Sequence, residues 1–298
     1  RRFWEAGTLP SDAAALAGGK ALAESGVSPE SLQALLYCGV SHDFVEPATS
    51  TAVVSKLGLG RDILNFDISN ACLGVISGIM MLASAIESGL IQCGMAVTGE
   101  NAGPLVENTV RRLNADLSIT RNGVKDEFAS LTIGSGAAAV IVCRRGLYPG
   151  HRLLASATAS DCSNNALCQG DAAGGMTDGS MPVMKTDSQQ LLIQGVQVAS
   201  RMWQNLRREE CWQDGSGLPS LVCGHQVGRI HRDRLFEALG LPLELDFPTF
   251  PELGNCGSAA LPMCCALAAE RGALKPGTDL AMLGIGSGIN SAGLAVRW

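Results

Sequence analysis

The chain has 298 residues, 46% of them hydrophobic and 17% charged, enough apolar material to bury a large core and too much for a disordered chain. A formal net charge of −6, a pI near 5.3 and the lack of any Lys/Arg block argue against nucleic acid as a partner. No apolar run reaches the roughly 18 uncharged residues of a membrane span, and the opening "RRFWEAGTLP" lacks a signal-peptide plan, so a cytoplasmic protein is expected.

In chain order, "SDAAALAGGKALAESG" (11–26) predicts a helix, "SLQALLYCGVS" (31–41) a buried strand, "ATSTAVVSKLG" (48–58) a helix and "DILNFDIS" (62–69) a strand. A helix over "LGVISGIMMLASAIESG" (73–89) and a strand over "CGMAVTGE" (93–100) continue the pattern. Each helix closes on a glycine, the residue that tolerates the left-handed C-terminal position. Such alternation predicts parallel β-α-β units with helices on both faces of a sheet.

The later chain repeats the plan, with helices over 186–210, 232–241 and 258–272 and strands over "SLVCGH" (220–225) and "LAMLGIGSG" (280–288). "LTIGSGAAAVIVCR" (131–144) and "LGIGSGINSAGLAVRW" (283–298) share a Gly-Ser-Gly turn followed by a small-apolar strand. An internal duplication follows, with halves 1–146 and 147–298 meeting in the turn "RRGLYPGHR" (144–152). Segments 101–128 and 160–186 have the least regular pattern and are expected to be long loops, of the kind that line a site or a subunit contact.

Eleven cysteines, an odd number scattered singly through apolar runs, are expected to be reduced thiols, and their spacing offers no zinc site. Cys72 differs from the others in position, following a predicted strand and opening a predicted helix. There it is either a packing residue or a nucleophile whose pKa the helix N-terminus lowers. His225 ends an apolar strand in "CGHQVGRIHRD", where parallel sheets hold ligands. His151 and His231 stand among arginines and are expected to be solvated, and His42 lies in a loop. Asn255, between glycines in "FPELGNCGSAALP", is either a helix cap or an untitrating donor to a carbonyl oxygen. The turn "GIGSGIN" (284–290) can present backbone N–H groups to an oxyanion, and no acidic residue follows it as a dinucleotide site requires.

Cys in a strand-to-helix turn, then His-Gln, then Gly-Asn, then a Gly-Ser-Gly turn before the last strand "AGLAVRW" together resemble the thiolase superfamily and its β-ketoacyl-ACP synthase III-like condensing enzymes. The resemblance spans nearly the whole chain. It implies an α/β thiolase fold, two similar halves in a five-layered α-β-α-β-α arrangement, and a homodimer. It also implies Cys72, His225 and Asn255 as the catalytic set, with the backbone amides of Cys72 and Ser287 as oxyanion hole. "SHDFVEPATSTAVVSKLG" (41–58) and "ISNACLGVISGI" are similar to the OleA-type acyl-CoA condensing enzymes of olefin biosynthesis, in which a glutamate from one subunit reaches the other's site. Glu46 matches that glutamate; read on its own it is a surface residue beside the helix near Pro47. Relative to the family, a strand and a helix ahead of "RRFW" are missing, "HQVG" replaces the usual "HQAN", and the arginines for the ADP end of coenzyme A are not located.

The implied activity is an acyltransferase: Cys72 takes an acyl group from a thioester, and a second thioester, its carbonyl held by His225 and Asn255, attacks in a Claisen condensation. The substrates are acyl-CoA or acyl-ACP, with no cofactor and no metal. A malonyl thioester would generate the carbanion by losing CO2, whereas a simple acyl thioester needs a base such as Glu46. A non-catalytic thiolase-fold partner subunit would be expected to lack part of the Cys72, His225, Asn255 set. A cysteine protease does not fit the duplicated parallel-sheet pattern.

Overall fold

Runs buried on both faces belong in the middle of sheets covered by helices on either side, and β1 (Ala34–Tyr37) and β3 (Cys93–Glu100) are such runs. They pair in parallel and form the centre of a four-stranded sheet ordered β2-β1-β3-β4, with β2 (Leu64–Asp67) parallel to β1 and β4 (Gly136–Cys143) antiparallel to β3. The computed structural model describes residues 1–120, 123–170, 183–212 and 217–298. A second sheet is ordered β5-β10-β9-β8, built from β5 (Arg152–Ser160), β8 (Leu221–Gly224), β9 (Asp279–Gly286) and β10 (Asn290–Arg297). There β8 and β9 are parallel and the other pairs antiparallel.

The two sheets repeat one plan, a parallel pair followed by an antiparallel strand, and both Gly-Ser-Gly turns lead into that antiparallel strand, β4 or β10. The outer edge of β10 is covered by β5, whereas β4 has no strand on its outer edge among the described residues.

Helices α1 (Pro10–Ser25) and α2 (Thr49–Lys56) pack on the first sheet, and α6 (Ser188–Arg207) packs on the second with α7 (Arg229–Leu239) against it; one turn of helix, α8 (Phe250–Leu253), precedes Asn255. Between the sheets lie α3 (Gly74–Glu87), touching β3, β4 and β10, and α9 (Ala260–Glu270), touching β4, β8 and β9. The five layers of a thiolase fold result. Leu36, Ile76 and Ile79 from the first half share one apolar core with Leu261, Leu280 and Met282 from the second. A sheet-helix-sheet layer this close needs small residues: a Cβ on Gly78 would stand 2.5 Å from Cys38 Sγ and 3.0 Å from the Cβ of Ala96. Asp187 caps α6, its carboxylate accepting the Gln190 N–H at 2.9 Å, and Pro262 falls in the first turn of α9, where a missing N–H costs nothing.

Two expectations are corrected. The stretch 101–128 contains α4 (Gly103–Ala115), started by Pro104, and is followed by α5 (Phe128–Thr132). Its inward face carries Val106, Asn108 and Thr109, two of them polar, so hydrophobic spacing alone could not mark it. Segment 160–186 contains a 3-10 turn (Cys162–Leu167) and the two strands of a hairpin, β6 (Cys168–Gly170) and β7 (Met184–Thr186); residues 171–182 lie outside the described residues. All eleven cysteines are free thiols. No helix among the described residues is long and apolar enough to cross a membrane.

Because Ile76 is 2% exposed in the core shared by both halves, Ile76→Ala should destabilise the protein by about 2–5 kcal/mol. Denaturant unfolding should show both halves losing stability in one transition.

Candidate active site

At the carboxyl ends of the parallel strands a cavity of about 1520 Å³ opens, lined by Cys72, His225, Asn255, Ser287 and Glu46 from both halves. All the site residues singled out in the sequence therefore face one space.

Cys72 is held by a tight turn after β2. Ala71 is left-handed at φ 44°, a conformation that costs a residue with a Cβ about 1–2 kcal/mol. The Leu73 N–H donates to the Asn70 carbonyl at 2.9 Å and the Gly74 N–H to the Ala71 carbonyl at 3.4 Å. Cys72 thus stands two residues ahead of the first helical residue of α3. The expectation of a lowered pKa is overturned: burial, the charge of Glu100 and the neighbouring Cys168 push the Cys72 thiol up to about 12. Although the residue is only half-buried, its thiol faces the cavity rather than bulk water, so desolvation of the thiolate outweighs the dipole of α3.

Sequence reasoning missed Glu100, which ends the apolar strand β3 and is 4% exposed. Its carboxylate accepts N–H groups from Val40 (3.1 Å), Ser41 (3.1 Å) and Ser258 (3.2 Å). Burial raises its pKa despite these three bonds. A lone acidic residue closing an otherwise apolar strand was the available signal.

His225 follows the last residue of β8, and its backbone N–H donates to the Leu283 carbonyl of β9 at 2.9 Å. Its Nε2 lies 3.1 Å from Asn255 Oδ1, which also accepts the Gly257 N–H at 3.0 Å. The backbone of Ile285 also hydrogen-bonds the ring. Burial lowers the pKa of His225, so the ring is neutral near pH 7. Asn255 is strapped to the first half: its N–H donates to the Thr132 carbonyl at 3.1 Å, and its carbonyl accepts the Gly134 N–H at 2.8 Å. The buried Gln226 braces the approach, accepting the Thr249 and Phe250 N–H groups at 2.8 and 2.9 Å. Ser287 sits in the turn between β9 and β10.

Glu46 stands at the rim with its side chain exposed, beside Phe44 and Val45, which are 62% and 71% exposed. In the same loop His42 Nδ1 lies 3.2 Å from Asp67, which raises the histidine's pKa. Asp67 also accepts the Thr49 and Ser50 N–H groups at 2.8 Å each, capping α2. Of the two histidines expected to be solvated, His151 is exposed and stacks on Trp298 at 3.6 Å. His231 is instead half-buried in the cavity wall, its pKa lowered by burial, because α7 turns it inward.

A five-layered duplicated fold with a cysteine in a strained strand-to-helix turn, facing a paired His and Asn from the other half, defines a thiolase-superfamily condensing enzyme. Residues 66–162 match the 3-oxoacyl-[acyl-carrier-protein] synthase III family and residues 219–298 its C-terminal counterpart. The chain is 38% identical to an acyl-CoA:acyl-CoA alkyltransferase of Shewanella oneidensis, over 100% of this chain and 85% of that protein. It superposes on cerulenin-bound OleA of Xanthomonas campestris with a TM-score of 0.92 at 33% identity, covering 100% of this chain and 83% of that one. A cysteine-to-serine variant of the same enzyme with bound lauric acid and lauroyl-CoA gives a TM-score of 0.91 at 32% identity, covering 100% and 85%. The chain belongs to the OleA family of acyl-CoA:acyl-CoA alkyltransferases within the synthase III branch of the thiolase superfamily.

The sign of the Glu100 effect is testable. Its negative charge opposes a thiolate at Cys72, so Glu100→Gln should lower the cysteine's pKa. The pH profile of Cys72 alkylation by iodoacetamide should move to lower pH; an unmoved profile would show that burial alone sets it.

Proposed function

We propose that the protein condenses two acyl-CoA thioesters without decarboxylation. The observation that carries this reading is the convergence of Cys72, His225, Asn255 and Glu46 on one cavity of about 1520 Å³. Single-ligand pockets occupy about 300–1,000 Å³, so this space suits two acyl chains better than one.

Cys72 attacks the first thioester carbonyl, the backbone amides of Cys72 and Ser287 hold the oxyanion, and CoA departs while the acyl group stays on Cys72. Because the thiol's pKa is raised, its proton leaves as attack proceeds rather than beforehand and passes to the departing sulfur, so that CoA leaves as its thiol. The second acyl-CoA then enters with its carbonyl oxygen between the neutral imidazole of His225 and the side-chain amide of Asn255, where negative charge develops as the α-proton leaves. Glu46 takes that proton, and the carbanion attacks acyl-Cys72 to release the β-ketoacyl-CoA.

We further infer a homodimer. Strand β2 is the end strand of its sheet, and Leu64 and Phe66 on it are 43% and 42% exposed. The loop carrying Phe44, Val45 and Glu46 is tied to the end of β2 through His42 and Asp67, so a second copy at this edge would pack on that loop. The match to a synthase III family supports a second reading, decarboxylative condensation with a malonyl thioester on acyl carrier protein.

Long-chain acyl-CoA supplied alone should yield a β-keto product; a strict requirement for malonyl thioester would establish the second reading. Cys72→Ala should abolish both acylation and condensation, a fall of at least about 10³-fold. Glu46→Ala should leave acylation of Cys72 intact, seen by mass spectrometry, and lose condensation. Loss of acylation as well would remove Glu46 as the base.

A further inference from the structure

The turn of the first half that carries Cys72 is bonded directly to the loop of the second half that carries Asn255, through Ser258, which does not line the cavity. The hydroxyl of Ser258, 1% exposed, donates to the Ala71 carbonyl at 2.7 Å and accepts the Gly74 N–H at 3.2 Å. One oxygen therefore grips the chain on either side of Cys72. The Ser258 N–H in turn donates to Glu100, the carboxylate already holding Val40 and Ser41. The fit is tight: a Cβ on Gly74 would stand 2.8 Å from Ser258 Oγ and 2.6 Å from the Cys38 carbonyl oxygen.

We propose that Ser258, anchored by Glu100, is a positioning residue that locks the Cys72 turn to the Asn255 loop. Asn255 and Ser258 share one short loop, so a bond from Ser258 to residues 71 and 74 sets the distance between the nucleophile and the pair that holds the second thioester. Ala71 is left-handed, and a strained residue persists only where its surroundings over-determine it; the Ser258 bond to its carbonyl is such a constraint. Without the hydroxyl the turn is free to relax, and the Cys72 sulfur leaves the line of attack while the rest of the cavity stays as it was. Ser258 touches no substrate; it acts through Cys72. The proposal rests on Cys72 being the acylated residue.

Ser258→Thr and Ser258→Val are matched in shape and differ in the hydroxyl, so both bear the same extra methyl in the same buried space. With lauroyl-CoA as substrate, Ser258→Val should lose about 10–100-fold in kcat with KM within about twofold of wild type, since small misplacements of reacting groups cost up to about 10²-fold. Ser258→Thr should recover at least about tenfold of that loss. Thermal unfolding of the two variants, measured alongside, should show both cooperatively folded at the assay temperature, with Ser258→Val the less stable by a few °C. Iodoacetamide labelling of Cys72, read by mass spectrometry, needs no thioester. Its rate in Ser258→Val should depart from wild type by at least about threefold while Ser258→Thr stays close to it. Equal kcat and equal labelling in the two variants would overturn the proposal, as would a loss confined to KM. Absence of an acyl adduct on Cys72 in the wild-type protein would instead overturn the acylation reading, and the labelling comparison would still decide the clamp.

Discussion

Everything in this site depends on the apolar layer that α3 and α9 form between two sheets. Each helix begins just past a loop that carries chemistry, Cys72 ahead of α3 and Asn255 ahead of α9, and each packs on strands of both sheets. Burying both helices in one core brings together the carboxyl ends of two sheets that lie far apart in the chain. The site is thus a by-product of hydrophobic packing, and the small residues of α3 are what permit the sheets to close on it.

Within that layer the electrostatics are unlike those of a free cysteine at a helix start. The Cys72 thiol is raised by burial and by Glu100, and His225 is kept neutral by burial. A neutral imidazole and an amide that does not titrate give a polar pair able to receive developing negative charge without carrying a charge of its own at rest. A Cys72 thiol kept protonated at rest is less exposed to alkylating or oxidising agents, because the thiolate is the reactive form.

Much of the fold was legible because its signals are local. Buried runs such as those of β1 and β3, helices closed by glycine and the twice-used Gly-Ser-Gly turn all follow from a few adjacent residues, and they led to a duplicated α/β fold. Helix α4 escaped because its inward face is part polar, and the inward turn of His231 escaped because two neighbouring arginines mask it in sequence. Cys72, His225 and Asn255 could be picked out by their places at the ends of predicted elements, and the resemblance they carry agrees with the relatives the chain matches.

The amino-acid sequence by itself determined the class of fold, the repeat and the residue types available for acyl transfer, because periodicity and turn chemistry act over a few residues. Only the tertiary structure decided what surrounds Cys72. Ser258 bonds to Ala71 across 187 positions, Glu100 meets the Ser258 N–H across 158, and the direction of the Cys72 pKa is set by burial together with that carboxylate. Desolvation and Coulomb interactions depend on distance through space, and no spacing along the chain records which groups folding will place side by side.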